Sequence, residues 1–248
     1  MASLARVMLD VARHVTGVVE GTAQSGTTST LVDTILTQTA GYWKGSALFL
    51  NCEEATPSND IVTPVLRFGE GTLTFATQTA PVTSATCYAL VNPEFTVNEI
   101  KQAVLSILRQ RPVEYVDETM TAASGTLEYT LPAGVSGIRR MIVDGTINQH
   151  WREQNGELVF LKAPADGVIS IYYYIPQGTI ALTTTVNAKY DYDWLKWSAV
   201  VNLLRMKVQR VHKDNPILME LLNEAKTEEQ KARAASRPLP LSDIILAG

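Results

Sequence analysis

The side chains with which this 248-residue chain would have to do chemistry are few: three histidines, two cysteines and some paired carboxylates. His14, His150 and His212 stand in three different contexts, none beside a cysteine or a tight carboxylate cluster. None therefore has the neighbour that a general base or a metal ligand needs. Cys52 and Cys87 are far apart, with no CxxC and no histidine pairing, which points away from structural zinc and from a disulfide scaffold. Asp191 and Asp193 flank Tyr192. Two such carboxylates could share acid–base work, but they also sit where a helix begins, and capping with the helix dipole accounts for them without catalysis. Tyr172, Tyr173 and Tyr174, with Trp151, could make a stacking platform for a sugar. In a strand, however, Tyr173 faces one side and its neighbours the other. Glu53-Glu54 and Glu228-Glu229 read as solvated surface. Dinucleotide, P-loop, HExxH and GxSxG motifs are all missing, so no catalytic residue, cofactor or metal is assigned and no enzyme is expected.

The elements that would position these residues are clearer. The chain is 46% hydrophobic and 19% charged, enough for a packed core, and its net charge of −4 argues against bulk electrostatic binding of nucleic acid. No apolar run approaches the roughly 20 residues of a membrane span, and residues 1–19 carry charges where a signal peptide would be apolar. The chain is thus expected to be made in the cytoplasm, with no membrane partner.

Helix signals open, divide and close the chain. Ser3 to Arg13 places Leu4, Val7, Met8 and Val11 on one face behind a serine cap. In the middle, Thr96 and Glu99 form a capping box and Phe95 and Ile100 a hydrophobic staple, with Val104, Ile107 and Leu108 continuing the apolar face until Pro112 stops the helix. Near the far end, Asp193 is expected to cap a long helix with a seam of Trp194, Trp197, Val201, Leu204, Val208 and Val211. Asn215-Pro216 starts another, with a face of Ile217, Leu218, Leu221, Leu222 and Ala225 that is expected to end near Lys226. Between the helices the texture is that of strands. Gly69-Glu70-Gly71, Asp144-Gly145 and Asn155-Gly156 mark hairpins, and strands are expected at 15–20, 47–50, 61–68, 72–76, 86–91, 126–131, 137–143, 148–152, 157–161 and 168–175.

The resulting expectation is an α+β protein: a small helical bundle with antiparallel β-barrel or sandwich units. Its parts are an N-terminal helix (1–13), a first β unit (14–94), a central bundle helix (95–112), a second antiparallel β unit (113–189), the C-terminal bundle helices (190–236) and an extended arm (237–248). Pro238 and Pro240 hold the arm extended, while Leu239, Leu241, Ile244, Ile245 and Leu246 are apolar beside Arg237, so it is expected to dock on a neighbouring subunit or another protein.

The order of several weak motifs resembles tailed-phage virion proteins. They are a short N-terminal helix, then Gly21-Thr22-Ala23 and Ser25 to Thr34, then Tyr42-Trp43-Lys44-Gly45 before an apolar strand. Phe95 to Arg111 follows, then Glu128-Tyr129-Thr130-Leu131-Pro132, and an aromatic-rich helix after the last strand. The class it is most similar to is the head–tail connector, or adaptor (tail tubular), of short-tailed phages. That resemblance implies a homo-oligomeric ring of about a dozen copies beneath the portal protein. It also implies contacts to tail, nozzle or tail-fibre proteins, passage of genomic DNA without sequence-specific binding, and a place in the virion neck. Two rival readings stay open at this point: a tail-fibre or receptor-binding component with a carbohydrate-binding β domain, and a hydrolase with an unrecognised carboxylate site.

Overall fold

A computed structural model describes residues 2–52, 59–110, 113–132, 135, 137–175, 180–186, 190–210 and 215–235. The chain is α+β and divides into two compact units, residues 1–108 with 179–248, and residues 109–178.

The first unit begins with α1 (Leu4–Val15), whose N-cap Ser3 accepts a hydrogen bond from the backbone of Arg6 at 3.2 Å. The helix runs two residues past its expected end at Arg13. It buries Ala5, Leu9, Ala12 and Val15 as well as the expected Leu4, Val7, Met8 and Val11. Strands β1 (Val18–Thr22), β2 (Ser25–Gly26), β3 (Thr30–Val32), β4 (Ala47–Leu50), β5 (Ile61–Gly69), β6 (Thr72–Phe75) and β7 (Cys87–Val91) follow. They pair antiparallel in the order β1-β7-β4-β5-β6-β3-β2. The two edge strands are consecutive in sequence, joined by Ala23 and Gln24 alone. That link spans about 11 Å at most, so the sheet must curl until its edges meet. Gly26 has no room for a side chain: a Cβ there would run into the Thr30 carbonyl of the neighbouring β3 and into Val82 of the loop before β7.

Leu31, Trp43, Leu48, Leu50, Val65, Leu73, Phe75 and Leu90 fill the curl. Inside it Tyr88 donates to Asp33 Oδ2 at 2.7 Å. Burial, and then the hydrogen bond and charge of Asp33, push the Tyr88 hydroxyl pKa well up. A buried ion pair ties α1 to the start of β5. Asp60, whose carboxylate is fully buried, accepts from Arg6 Nε at 3.0 Å and from a second Arg6 nitrogen at 3.1 Å, and also from Ser3 Oγ.

The remaining helices of this unit are α2 (Val97–Gln110, reaching to Leu108 within it), α3 (Tyr192–Arg210) and α4 (Pro216–Ala235). The α2 start has the expected capping box, with Glu99 N–H donating to Thr96 Oγ1 at 3.3 Å and Thr96 N–H to Glu99 Oε2 at 3.0 Å. Phe95 and Ile100, the staple pair, are both buried. The expected stop at Pro112, and Val211 and His212 beyond α3, lie outside the described residues.

The second unit is antiparallel throughout. Strands β8 (Val113–Ala122), β9 (Glu128–Thr130), β10 (Ile138–Val143), β11 (Thr146–Ile147), β12 (Trp151–Gln154), β13 (Glu157–Phe160) and β14 (Gly167–Ile175) form two sheets, ordered β11-β10-β14-β8 and β12-β13-β9. Met141, Val143, Ile169 and Ile171 of one meet Leu158 and Phe160 of the other, which makes a small sandwich. The strand expected at 148–152 starts later, at Trp151. Asn148 Oδ1 instead accepts from His150 N–H at 2.9 Å, an Asx turn that holds this stretch as a loop. Asn155 and Gly156 turn the hairpin as expected, at φ 53° and 77°.

Candidate functional site

Asp191, not Asp193, caps α3. Asp191 Oδ1 accepts from Trp194 N–H at 2.8 Å and its carbonyl from Leu195 N–H at 3.0 Å. Asp193 falls in the first turn, where it pairs with Lys196 at 3.0 Å. Tyr192, the first helical residue, donates its hydroxyl to Asp10 of α1. Burial, then the Asp10 hydrogen bond and charge, with Asp193 adding, raise the Tyr192 pKa, against the opposing charge of Arg13. Both carboxylates of the Asp-Tyr-Asp pattern thus have structural partners.

The expected seam residues Trp194, Val201 and Leu204 are buried, while Trp197 and Val208 are half-buried. Leu195, Ser198, Ala199, Val200 and Leu203 are buried as well. Helix α3 is therefore covered around most of its circumference. Tyr192 and His14 bring α1 to it, Asn202 bonds the Ala103 carbonyl of α2 at 3.4 Å, and Ser198 donates to Glu229 of α4 at 3.0 Å.

Helix α4 starts as expected, with Asn215 Oδ1 accepting from Ile217 and Leu218 at 3.0 and 3.2 Å. Its face departs from expectation at both ends. Ile217 is 67% exposed, and burial continues past Lys226 through Ala232. Leu218, Leu222, Ala225, Glu229 and Ala232 recur at alternating spacings of four and three, a heptad seam completed by alanine and by a glutamate that finds Ser198.

Small residues on that seam leave a groove beside Trp197. One part, about 460 Å³, is lined by His14, Trp197, Leu221, Glu224, Ala225, Thr227 and Glu228. The other, about 320 Å³, is lined by Asp191, Asp193, Trp197, Glu228, Lys231, Ala232 and Ala235. Trp197 and Glu228 belong to both. The indole is held edge-on by His14, with ring centroids 4.6 Å apart, and Lys196 Nζ lies 5.2 Å from its centre. His14 Nδ1 is 2.7 Å from the Asp10 carbonyl, so that nitrogen carries the proton. No local pattern in the sequence marks this groove. The alanines that open it look like an absence of a face.

The other sequence candidates are scattered. His150 lines a shallow hollow of about 490 Å³ in the second unit, with Asp144, Thr146 and Asn148. The tyrosines divide as strand geometry requires. Tyr173 packs on the sandwich core, 6.0 Å from Tyr115 by ring centroids, while the Tyr172 ring lies 3.9 Å beneath the Arg140 guanidinium. Trp151 joins Tyr173 against the core. Cys52 and Cys87 are free thiols. Among the described residues, no three His, Cys, Asp or Glu side chains gather in a way that could hold a metal ion, and no helix is long and apolar enough to cross a membrane. Arg237, Pro238, Leu239, Pro240, Leu241, Ile244, Ile245 and Leu246, the expected interaction arm, lie outside the described residues. The sequence matches no known protein-family model, and no curated protein is significantly similar to it.

Proposed function

We propose that this protein is a structural component of a tailed-phage virion: a head–tail connector that assembles with its own copies into a ring between portal and tail and lines the DNA passage. One observation carries the reading. Helices from the beginning, middle and end of the chain gather on α3, with a curled β segment and an inserted β sandwich between them in sequence. The resemblance implies a helical bundle with a β domain; the bundle agrees with it, and the second β unit goes beyond it. The role asks for shape and contacts rather than a reacting centre. The net charge of −4 suits a passage through which DNA slides, because fixed cations would hold phosphate.

The test is electron microscopy of the full chain mixed with the portal protein from the same genome. The expected result is a closed ring of about a dozen copies on the portal's tail-side face. A single copy per particle, or a position on the fibres, overturns the reading.

A further inference from the structure

We propose that residues 237–246 of one copy occupy the groove beside Trp197 on the next. This rests on the ring reading and names the contact that would link its subunits. The groove has a shape and chemistry that ask for an extended, mainly apolar segment with a cation. Its floor offers the Trp197 indole, Leu221, Ala225 and Ala232; of the carboxylates that line it, Asp191 caps α3 and Asp193 and Glu228 pair with Lys196 and Lys231, and Glu224 stands beside them. The segment supplies Leu239, Leu241, Ile244, Ile245 and Leu246 for the floor, with one cation, Arg237, for Glu224 and one anion, Asp243. Pro238 and Pro240 favour an extended backbone before binding, which lowers the ordering cost.

Length agrees. From Leu221 to Ala235 the groove follows α4 for about 21 Å, and ten extended residues reach about 33 Å.

The occupant is a second copy because of where the segment leaves. Ala235 is the last described residue of α4 and lines the groove. To enter its own groove the chain would have to reverse at once and run back along the helix it has just left. The residues preceding the two prolines, Arg237 and Leu239, are restricted to extended conformations, which disfavours that tight reversal. Each copy would then give one segment and receive another, a heterologous contact of the kind that closes rings.

Two full-length variants test this, Thr227→Cys with its cysteine on the groove and Leu241→Cys with its cysteine on the segment. They are mixed, assembled and oxidised, and the joined cysteines are identified by mass spectrometry, which separates them from Cys87. Because each variant carries one new cysteine, a 227–241 disulfide in the mixture can only join two chains. It is expected at least tenfold above the 162–241 link formed when Lys162→Cys replaces the groove variant, and Glu224→Lys with Glu228→Lys should reduce it several-fold. A 227–241 link no more abundant than the control overturns the proposal. So does a link found only within single chains of the Thr227→Cys, Leu241→Cys double variant. A ring without the interchain link refutes the docked segment and leaves the ring, whereas the link in a preparation that forms no ring refutes the ring and leaves the docking.

Discussion

Lys207 is 8% exposed and has two oxygen partners. Its ammonium lies 3.2 Å from Glu99 Oε1 and donates to the Glu94 carbonyl, with the Phe95 ring centre 5.0 Å away. Glu99 therefore both completes the α2 capping box and receives a cation from α3. Burial tends to raise the Glu99 pKa, but the Thr96 hydrogen bonds and Lys207 outweigh it, so the carboxyl titrates below its ordinary 4.5. A depressed folded-state pKa adds stability above the ordinary value, and that contribution is lost as pH falls through the folded one. Lys207→Met should cost about 1–3 kcal/mol near neutral pH by leaving the Glu94 carbonyl and Glu99 short of a donor. In urea titrations the gap to the parent chain should narrow below pH 4.5. A gap that does not change with pH would mean that lost packing, not the ion pair, is responsible. The capping box was legible because Thr96, Glu99 and the staple are local. Lys207 was not, since its partner lies on a helix brought close only by the fold. Asp191 and Asp193 illustrate a related limit: local rules allow either as cap, and in the fold Asp191 bonds Trp194 N–H while Tyr192 between them reaches Asp10 of α1.

At the scale of the helix, α3 is recognisable as a long apolar element, but it is buried well beyond one heptad seam. A heptad pattern describes a helix with one partner, whereas α3 meets α1, α2 and α4 and buries Leu195, Ala199 and Leu203 in addition to the seam. The α4 face was cut short for the converse reason. Beyond Lys226, Glu229 and Ala232 carry little hydrophobic signal, yet Ala232 is buried and Glu229 bonds Ser198. Leu204 is fully buried in α3. Leu204→Ala should therefore cost about 2–5 kcal/mol through the cavity it leaves, measured by chemical denaturation of the purified chain. A loss under about 1 kcal/mol would show that α3 is not the centre of the helical packing.

Over the whole molecule, hairpin turns and strand texture were readable, while the pairing of distant strands was not. Nothing local in Val18–Thr22 says that β1 pairs with β7, or that β2, two residues further on, closes the other edge. Pairing across such separations is set by how side chains fill a common interior, here Leu31, Leu48, Phe75 and Leu90. The same reasoning separates residues 109–178, whose strands, among the described residues, pair only with one another around Met141, Leu158, Phe160 and Ile171. A unit with its own core, entered and left by single crossings of the chain, can unfold as a unit. Calorimetry of the full chain should then show two transitions. Leu158, fully buried in the sandwich, and Leu204, fully buried in the bundle, provide one probe for each. Leu158→Ala should lower one transition by the equivalent of about 2–5 kcal/mol and leave the other within about 0.5 kcal/mol, with Leu204→Ala doing the reverse. One transition that shifts in both variants would show that the two cores melt together and that the inserted sandwich depends on the helices for its stability.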